Sequence, residues 1–335
     1  MCFCTLEVFD NMGKNIFYLS PSFDGYRNLA VDEWLLDTLG KDDMALYFYI
    51  NANAVIIGKN QNPYRECNLK HMERDDVQLV RRITGGGAVY HDKGNLNFSF
   101  ICGNNRYDEH AQFELILNAV RSLGIPCEFS GKNDLKADGM KFSGNAFCAR
   151  KNTKQHHGTL LVNADLTKLT DYLNPDPKKM RAKGITSVRQ KVCNLCDFRP
   201  GLSTEQVADA VKSAFKNACK DVVDFVPSKA DEEQISKYYE KQTSWEWKLG
   251  NTPEFDFEID ERFDWGSVQL YLNVDKNIIT RAKLYSDAND AAIADEAKAL
   301  LENTRFEAKC VKYALLKSNN PHLIELGEYI FEKGL

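Results

Sequence analysis

Three consecutive glycines inside an otherwise strand-like stretch are the tightest constraint this chain places on its own fold. Residues 81–92 read RRITGGGAVYHD. Glycine has no Cβ, so Gly85, Gly86 and Gly87 can take backbone angles closed to other residues and let a ligand approach main-chain N–H groups. The run costs conformational entropy that an ordinary turn would not demand. Upstream, VQLVRRIT alternates well enough for a strand, and AVYH resumes an extended pattern. The glycines are therefore expected to break a strand pair. The arginine doublet ahead of them, Arg81 and Arg82, carries forked donors suited to a phosphate or carboxylate. Together these features predict an anion cradle, with a plain bulge or tight turn as the alternative. Two common phosphate fingerprints are missing. No Gly-Lys pair is followed by Ser or Thr, and Tyr90 stands where a dinucleotide motif needs glycine.

A chain of 335 residues can bury a large core and divide into two domains. The pattern breaks at Gly250 and Pro253, which predicts units at residues 1–249 and 253–335. Composition is that of an ordinary globular protein, 43% hydrophobic and 27% charged. A net charge of -5 argues against general nucleic-acid binding. No apolar run approaches the length of a membrane span, and the N-terminal stretch lacks the basic and apolar regions of a signal peptide. The expectation is a cytoplasmic protein with no membrane or nucleic-acid partner. Ten scattered cysteines fit free thiols in a reducing compartment, and the one close pair, Cys193 and Cys196, reads as incidental.

YRNLAVDEWLLDTL places Leu29, Ala30, Trp34, Leu35 and Leu39 at helical spacing. The segments ALYFYI, AVIIGK, VQLVRRIT, AVYH and NLNFSFIC then read as short strands. DEHAQFELILNAVRSLG predicts a helix capped by Asp108 and stopped at Gly124. PCEFSG, DLKADGMKFSGNAF and QHHGTLLVNADL follow as strands or hairpin arms, the middle one turning at Asp138 and Gly139. STEQVADAVKSAFKNAC opens with a capping box, Ser203 and Gln206. The fold class is α+β with a mixed, largely antiparallel sheet. Beyond residue 253, a small antiparallel sheet precedes the helices AAIADEAKALLEN and KCVKYALLKS.

Four segments outside the glycine run invite chemistry. Lys141 lies in GMKFSGNAF, where Ser143, Gly144 and Ala146 leave room for a ligand. His156 and His157 are contiguous and must point to opposite faces of a strand, which makes metal binding by the pair unfavourable. Asn133 and Asp134 suit a magnesium ion beside a nucleotide, or simply a turn. Lys178, Lys179, Arg181, Lys183, Arg189 and Lys191 gather around Gly184, as a solvated loop or as a basic flap over a phosphate-bearing ligand.

In order along the chain, RRITGGGAVYHDKGN, GKNDL, KFSGNAF, HHGTLLVNADL, AKGITSVRQKV and SWEWKLG resemble the lipoate-protein ligases, from about Tyr26 to the end. The resemblance implies a catalytic domain of the lipoate and biotin ligase fold, related to one class of aminoacyl-tRNA synthetases, and a small α+β accessory domain that changes orientation about a hinge near Gly250. It implies that the lipoate carboxylate attacks the α-phosphate of ATP, giving lipoyl-AMP and pyrophosphate, and that an acceptor lysine amine then displaces AMP to form an amide. By the same resemblance Arg82, Gly86, Gly87, Ala88, Val89 and Tyr90 hold the nucleotide, and Lys141 contacts the acyl carbonyl and phosphate. His91, Asn133 and His157 support them, and Asp134 with Asn133 is the candidate for Mg2+. Acceptors would be the lipoyl domains of 2-oxoacid dehydrogenase complexes and the glycine cleavage H protein. The strands LNFSF and FSGNAF would wall the acyl tail, without choosing lipoate over octanoate. The alternatives are an ATP-independent acyl transferase acting through Cys148 and a lipoate-binding protein without catalysis.

Overall fold

Strands with apolar side chains on both faces need a layer on each side, and several strands here are of that kind. The computed structural model describes residues 13–130, 133–173, 192–249 and 256–333. Before residue 250 the strands are β1 (Asn15–Leu19), β2 (Met44–Tyr49), β3 (Ala54–Ile57), β4 (Gln78–Arg81), β5 (Val89–His91), β6 (Asn95–Gly103), β7 (Glu128–Ser130), β8 (Asp134–Ala137), β9 (Met140–Ala149), β10 (Thr153–Leu161) and β11 (Val222–Asp224). Eight of them form one sheet in the order β11-β1-β2-β6-β10-β9-β8-β7. β1 runs parallel to β2 and β11, and every other pairing in that sheet is antiparallel. The fold is mixed α+β, as expected.

The two faces of this sheet differ. Leu46 and Phe48 of β2, with Phe98 and Phe100 of β6, pack beneath helices α2 (Glu109–Ser122) and α3 (Thr204–Ala218), whose Ile116, Val120, Val211 and Phe215 complete that core. On the opposite face Ala45, Tyr47 and Tyr49 meet α1 (Gly25–Thr38) through Trp34 and Leu35, with α4 (Lys229–Thr243) outside. Burying one such side chain contributes about 1.5–3 kcal/mol, so the many on these faces fix the strand register. Buried polar residues differ between the faces: Asn97 and Ser99 of β6 with Asn28, Asp32 and Glu33 of α1 lie on the α1 side, while Gln112, Asn145 and His156 bond one another on the α2 side.

Local signals set the ends of elements. Asp108 caps α2 by accepting from the Ala111 N–H, and Gly124 beyond its end has φ +84°. Ser203 and Gln206 form the expected capping box at α3. Asp138 and Gly139, both with positive φ, make the tight turn between β8 and β9.

One expectation fails. The glycine run does not break a strand pair, because β4 and β5 never pair with each other. β3 lies between them, parallel to β4 and antiparallel to β5. The glycines therefore cross over β3 from one edge of a small sheet to the other.

After residue 256 come β12 (Phe257–Phe263), β13 (Gly266–Asp275) and β14 (Ile278–Ser286), an antiparallel sheet covered by α5 (Ile293–Leu301), α6 (Ala308–Leu315) and α7 (Pro321–Lys333). Their apolar residues form a cluster of their own, centred on Val268, Leu270, Leu284, Val311 and Leu326. The basic stretch from Lys178 to Lys191 and the segment around Gly250 and Pro253 lie outside the described residues.

Candidate active site

The glycine loop is held from behind by its own arginine. Arg82 is buried, and its guanidinium donates to the carbonyls of Ile56, Gly85 and Gly87 and to Thr84 Oγ1, at 2.7–3.2 Å. Burial pulls its pKa down to about 10, which leaves it charged at neutral pH. Arg82 thus braces the loop, with most of its donors committed there. Arg81 is spent elsewhere, on the carbonyls of Gly58, Lys59, Gln61, Trp247 and Lys248.

Packing explains two of the glycines. Gly86 has φ +95°, and a Cβ on it would lie 2.7 Å from the Arg82 guanidinium; one on Gly85 would lie 2.6 Å from the Ala288 carbonyl. The third, Gly87, is exposed and has nothing within 4 Å of such a Cβ. The loop also meets the C-terminal unit. Gly86 N–H donates to the Ala288 carbonyl at 2.8 Å, Ser286 N–H donates to the Asn60 carbonyl at 2.6 Å, and Lys59 pairs with Asp295 at 2.6 Å.

Lys141 sits at the start of β9, after the turn that Gly139 makes possible. Its Nζ is 2.7 Å from Asp134 Oδ1, and a Cβ on Gly144 would lie 3.0 Å from the same nitrogen. The expected pairing of a strand lysine with small neighbours is therefore present, and Asp134 fixes the amine in place. Asn133 does not join them. Its amide donates to the Asn145 carbonyl and its carbonyl accepts from Asn145 Nδ2, both at 3.0 Å, which ties β8 to β9.

The adjacent histidines divide as the strand period requires. His156 faces the aromatic core, between Gln112 and Asn145 at 3.0 Å each. His157 faces α1, with Nε2 2.8 Å from Thr84 Oγ1 and Nδ1 3.4 Å from Asp32 Oδ2. A chain of contacts thus runs Arg82, Thr84, His157, Asp32. Neither Thr84 nor Asp32 stands out in the sequence, because their roles depend on contacts across 73 and 125 positions that no local pattern encodes. His91 is buried, its Nδ1 accepts from Asn51 Nδ2 at 3.2 Å, and its Nε2 has no partner among the described residues. Burial first, then the charge of Arg82, pulls its pKa down to about 3, so it is neutral and carries its proton on Nε2. Val89 pairs with Ile56, Ala88 packs against the separate cluster of Val55, Ile57 and Met72, and the Tyr90 hydroxyl donates to Asn53 Oδ1 at 3.0 Å.

The aromatics of LNFSF do not reach this face. Phe98 and Phe100 lie in the opposite core, and the strand offers Asn97 and Ser99 instead; Gly144 and Ala146 of FSGNAF do stand on the α1 side. Burial raises the Cys148 thiol, the wrong direction for a nucleophile. Among the described residues no group of three His, Cys, Asp or Glu could hold a metal ion. An open groove of about 1200 Å³ takes in Tyr90, Asp92 and Tyr172 but none of Lys141, Arg82 and His157, so it is not where the two halves of the site meet. No helix among the described residues is long and apolar enough to cross a membrane.

The arrangement offers a fixed ammonium, a braced glycine loop and buried polar groups on the α1 side of the sheet, which suits an activated acyl group. Known proteins place it further. Residues 24–216 match the family described as the lipoyl protein ligase A/B catalytic domain, and residues 252–328 match the bacterial lipoate protein ligase C-terminus. The lipoate-protein ligase A of Psychrobacter cryohalolentis is 40% identical over 304 residues, covering 88% of this chain and 90% of that protein. Among solved structures, P. falciparum LipL1 in complex with lipoate is similar with a TM-score of 0.84 at 28% identity, over 95% of this chain and 99% of that one. The bipartite ligase of Thermoplasma acidophilum, described with its E2 lipoyl domain, has a TM-score of 0.63 at 29% identity, over 74% and 100%. A lipoate-protein ligase A bound with ATP has a TM-score of 0.61 at 29% identity, over 71% and 99%. Two family patterns in chain order, on the fold and around the lysine described above, make this chain a member of the lipoate-protein ligase family.

Proposed function

We propose that the enzyme works in two steps at Lys141, first joining lipoate to AMP and then passing the lipoyl group to a lysine of an acceptor protein. The observation that carries this reading is the Lys141 ammonium, held at 2.7 Å by Asp134 against the bare backbone of Gly144. A fixed positive charge about 4 Å from a developing negative oxygen is worth about 4 kcal/mol at an effective dielectric near 20. If realised only in the transition state, that is roughly a thousandfold in rate. Gly87 to Tyr90 would receive the nucleotide, with Arg82 keeping the loop in shape and His91 and His157 beneath it. The ATP-bound and lipoate-bound relatives support both ligands.

Asp134, the carboxylate paired with the lysine, could supply a share of Mg2+ coordination, which suits an ion held mostly by phosphates and water. Bound there, the metal would offset phosphate charge. Acceptor lysines would be those of lipoyl domains in 2-oxoacid dehydrogenase complexes, in keeping with the E2 domain of the Thermoplasma relative, and of the glycine cleavage H protein. We also place the division between catalytic and accessory units at residues 249 and 253, and the enzyme in the cytoplasm. A relay through a Cys148 thioester finds no support in that thiol's raised pKa.

The test is to incubate the protein with lipoate, magnesium and an unmodified lipoyl domain, with and without ATP, and to weigh the acceptor. A lipoyl-sized gain only with ATP is expected. A gain without ATP would move the reading to acyl transfer, and no gain with lipoate still bound would move it to a sensor.

A further inference from the structure

From Lys141 the α1-side face of β9 continues through Gly144, Ala146 and Cys148, small side chains on alternate residues. Ala146 stands opposite His157 and Cys148 opposite Gln155 on β10. An acyl chain of eight carbons is about as long as three strand residues, roughly 10 Å. The Lys141 ammonium lies at Gly144, so a carboxyl held by it puts the far end of the chain three residues further on, between Ala146 and Cys148 and against His157 and Gln155.

That end of the face is not apolar. Gln155 is fully buried; its amide donates to Ser99 Oγ at 3.0 Å, and its Oε1 has no partner among the described residues. Asp32 is 3% exposed, reaches His157 through Oδ2 at 3.4 Å, and also leaves Oδ1 without a partner among the described residues. Helix α1 passes over this row, because Asp32 contacts His157 while the Leu36 carbonyl accepts from Thr153 Oγ1 at 2.6 Å, and Gln155 lies between those two strand positions. Two buried acceptors therefore flank one histidine on the same face. Leaving buried acceptors unmade is costly, and a ligand that donates there recovers the loss.

Resting on the ligase reading above, we propose that Asp32 and Gln155 form a subsite that reads thiols at the far end of the acyl chain, so that the acid is taken in its dithiol form in preference to its cyclic disulfide or a plain eight-carbon chain. A thiol S–H is a hydrogen-bond donor, though a weak one. The sulfurs of a cyclic disulfide carry no hydrogen, and an alkyl end has no donor. Only the dithiol form satisfies both oxygens.

The experiment measures kcat/KM for acid-dependent pyrophosphate release by the full chain with dihydrolipoate, lipoate and octanoate. A phosphine reductant keeps the first reduced, and octanoate is run with and without the phosphine. Dihydrolipoate is expected to show a KM about three- to tenfold below the other two, the scale of one net hydrogen bond. Gln155→Leu should reverse the order in favour of octanoate, and the shape-conserving Asp32→Asn should narrow the dithiol advantage by a similar factor. If Gln155→Leu does not fold, the Asp32→Asn ratio decides. Equal KM for dithiol and disulfide in the unaltered enzyme, or ratios that neither variant moves, would overturn the inference while leaving the ligase intact. Absence of turnover with all three acids would instead remove the ligase reading on which it rests.

Discussion

The two faces of the eight-stranded sheet handle the same residue type in opposite ways. His156 and His157 are neighbours on β10, yet His156 has both ring nitrogens bonded in an aromatic core, while His157 reaches a threonine and a carboxylate beside the glycine loop. On the α2 side every polar group near the strand has been turned into packing. On the α1 side Asp32, His91 and Gln155 are left with buried atoms that find no partner among the described residues. The contrast separates a histidine that holds the fold from one that serves a site.

The sharpest way to break this division is Lys141→Ala. It is expected to lower lipoyl-AMP formation by roughly a thousandfold with an unchanged thermal midpoint, followed by pyrophosphate release and calorimetry. Near-normal adenylation would show that the α1 side does not house the reaction. Next, His156→Ala should cost about 3 kcal/mol in urea unfolding, because it opens a cavity and orphans Gln112 and Asn145. His157→Ala, on the other face, should cost less stability and more activity; a reversal of the two would erase the distinction between the faces. Gly86→Ala should destabilise by about 1–2 kcal/mol, being strained at φ +95° and crowded by Arg82. Gly87→Ala should move the midpoint by less than about 0.5 kcal/mol, since that position is open.

Acid tests both faces together. Burial holds His91 and His156 at about 3 in the folded chain, below their ordinary value of 6.5. The neutral rings contribute stability that is fully present above pH 6.5. As pH falls from 6.5 toward 3 the unfolded chain binds protons the folded one refuses, so stability declines across that window. His156→Gln should flatten this slope by about half of the histidine contribution, read from urea midpoints at pH 7, 6, 5 and 4.

Much of the fold is legible in the sequence because it rests on local signals. The alternation in NLNFSFIC, the capping residues Asp108 and Ser203, and the turn at Asp138 and Gly139 each act within a few positions. Helix α4 escapes notice since it buries little beyond Ile235 and Gln242. Helix α7 was legible in principle, with Pro321 in its first turn and Leu323, Leu326 and Ile330 at helical spacing. The site divides likewise. Lys141 and the glycines carry a family pattern, whereas Thr84 and Asp32 matter only through His157, and β3 slips between β4 and β5 by a crossover no periodicity announces.

The contact between Gly86 N–H and the Ala288 carbonyl joins the two halves of the chain through main-chain atoms alone. Such a contact is blind to side-chain identity. Substitution at residue 288 cannot delete the acceptor, and only proline would delete the donor at residue 86. Evolution or engineering can therefore change how firmly the halves hold together by altering what surrounds the bond: bulk at Gly85 or Gly86, the flanking Lys59 and Asp295 pair, and the Asn60 amide that donates to the Asp290 and Ala291 carbonyls.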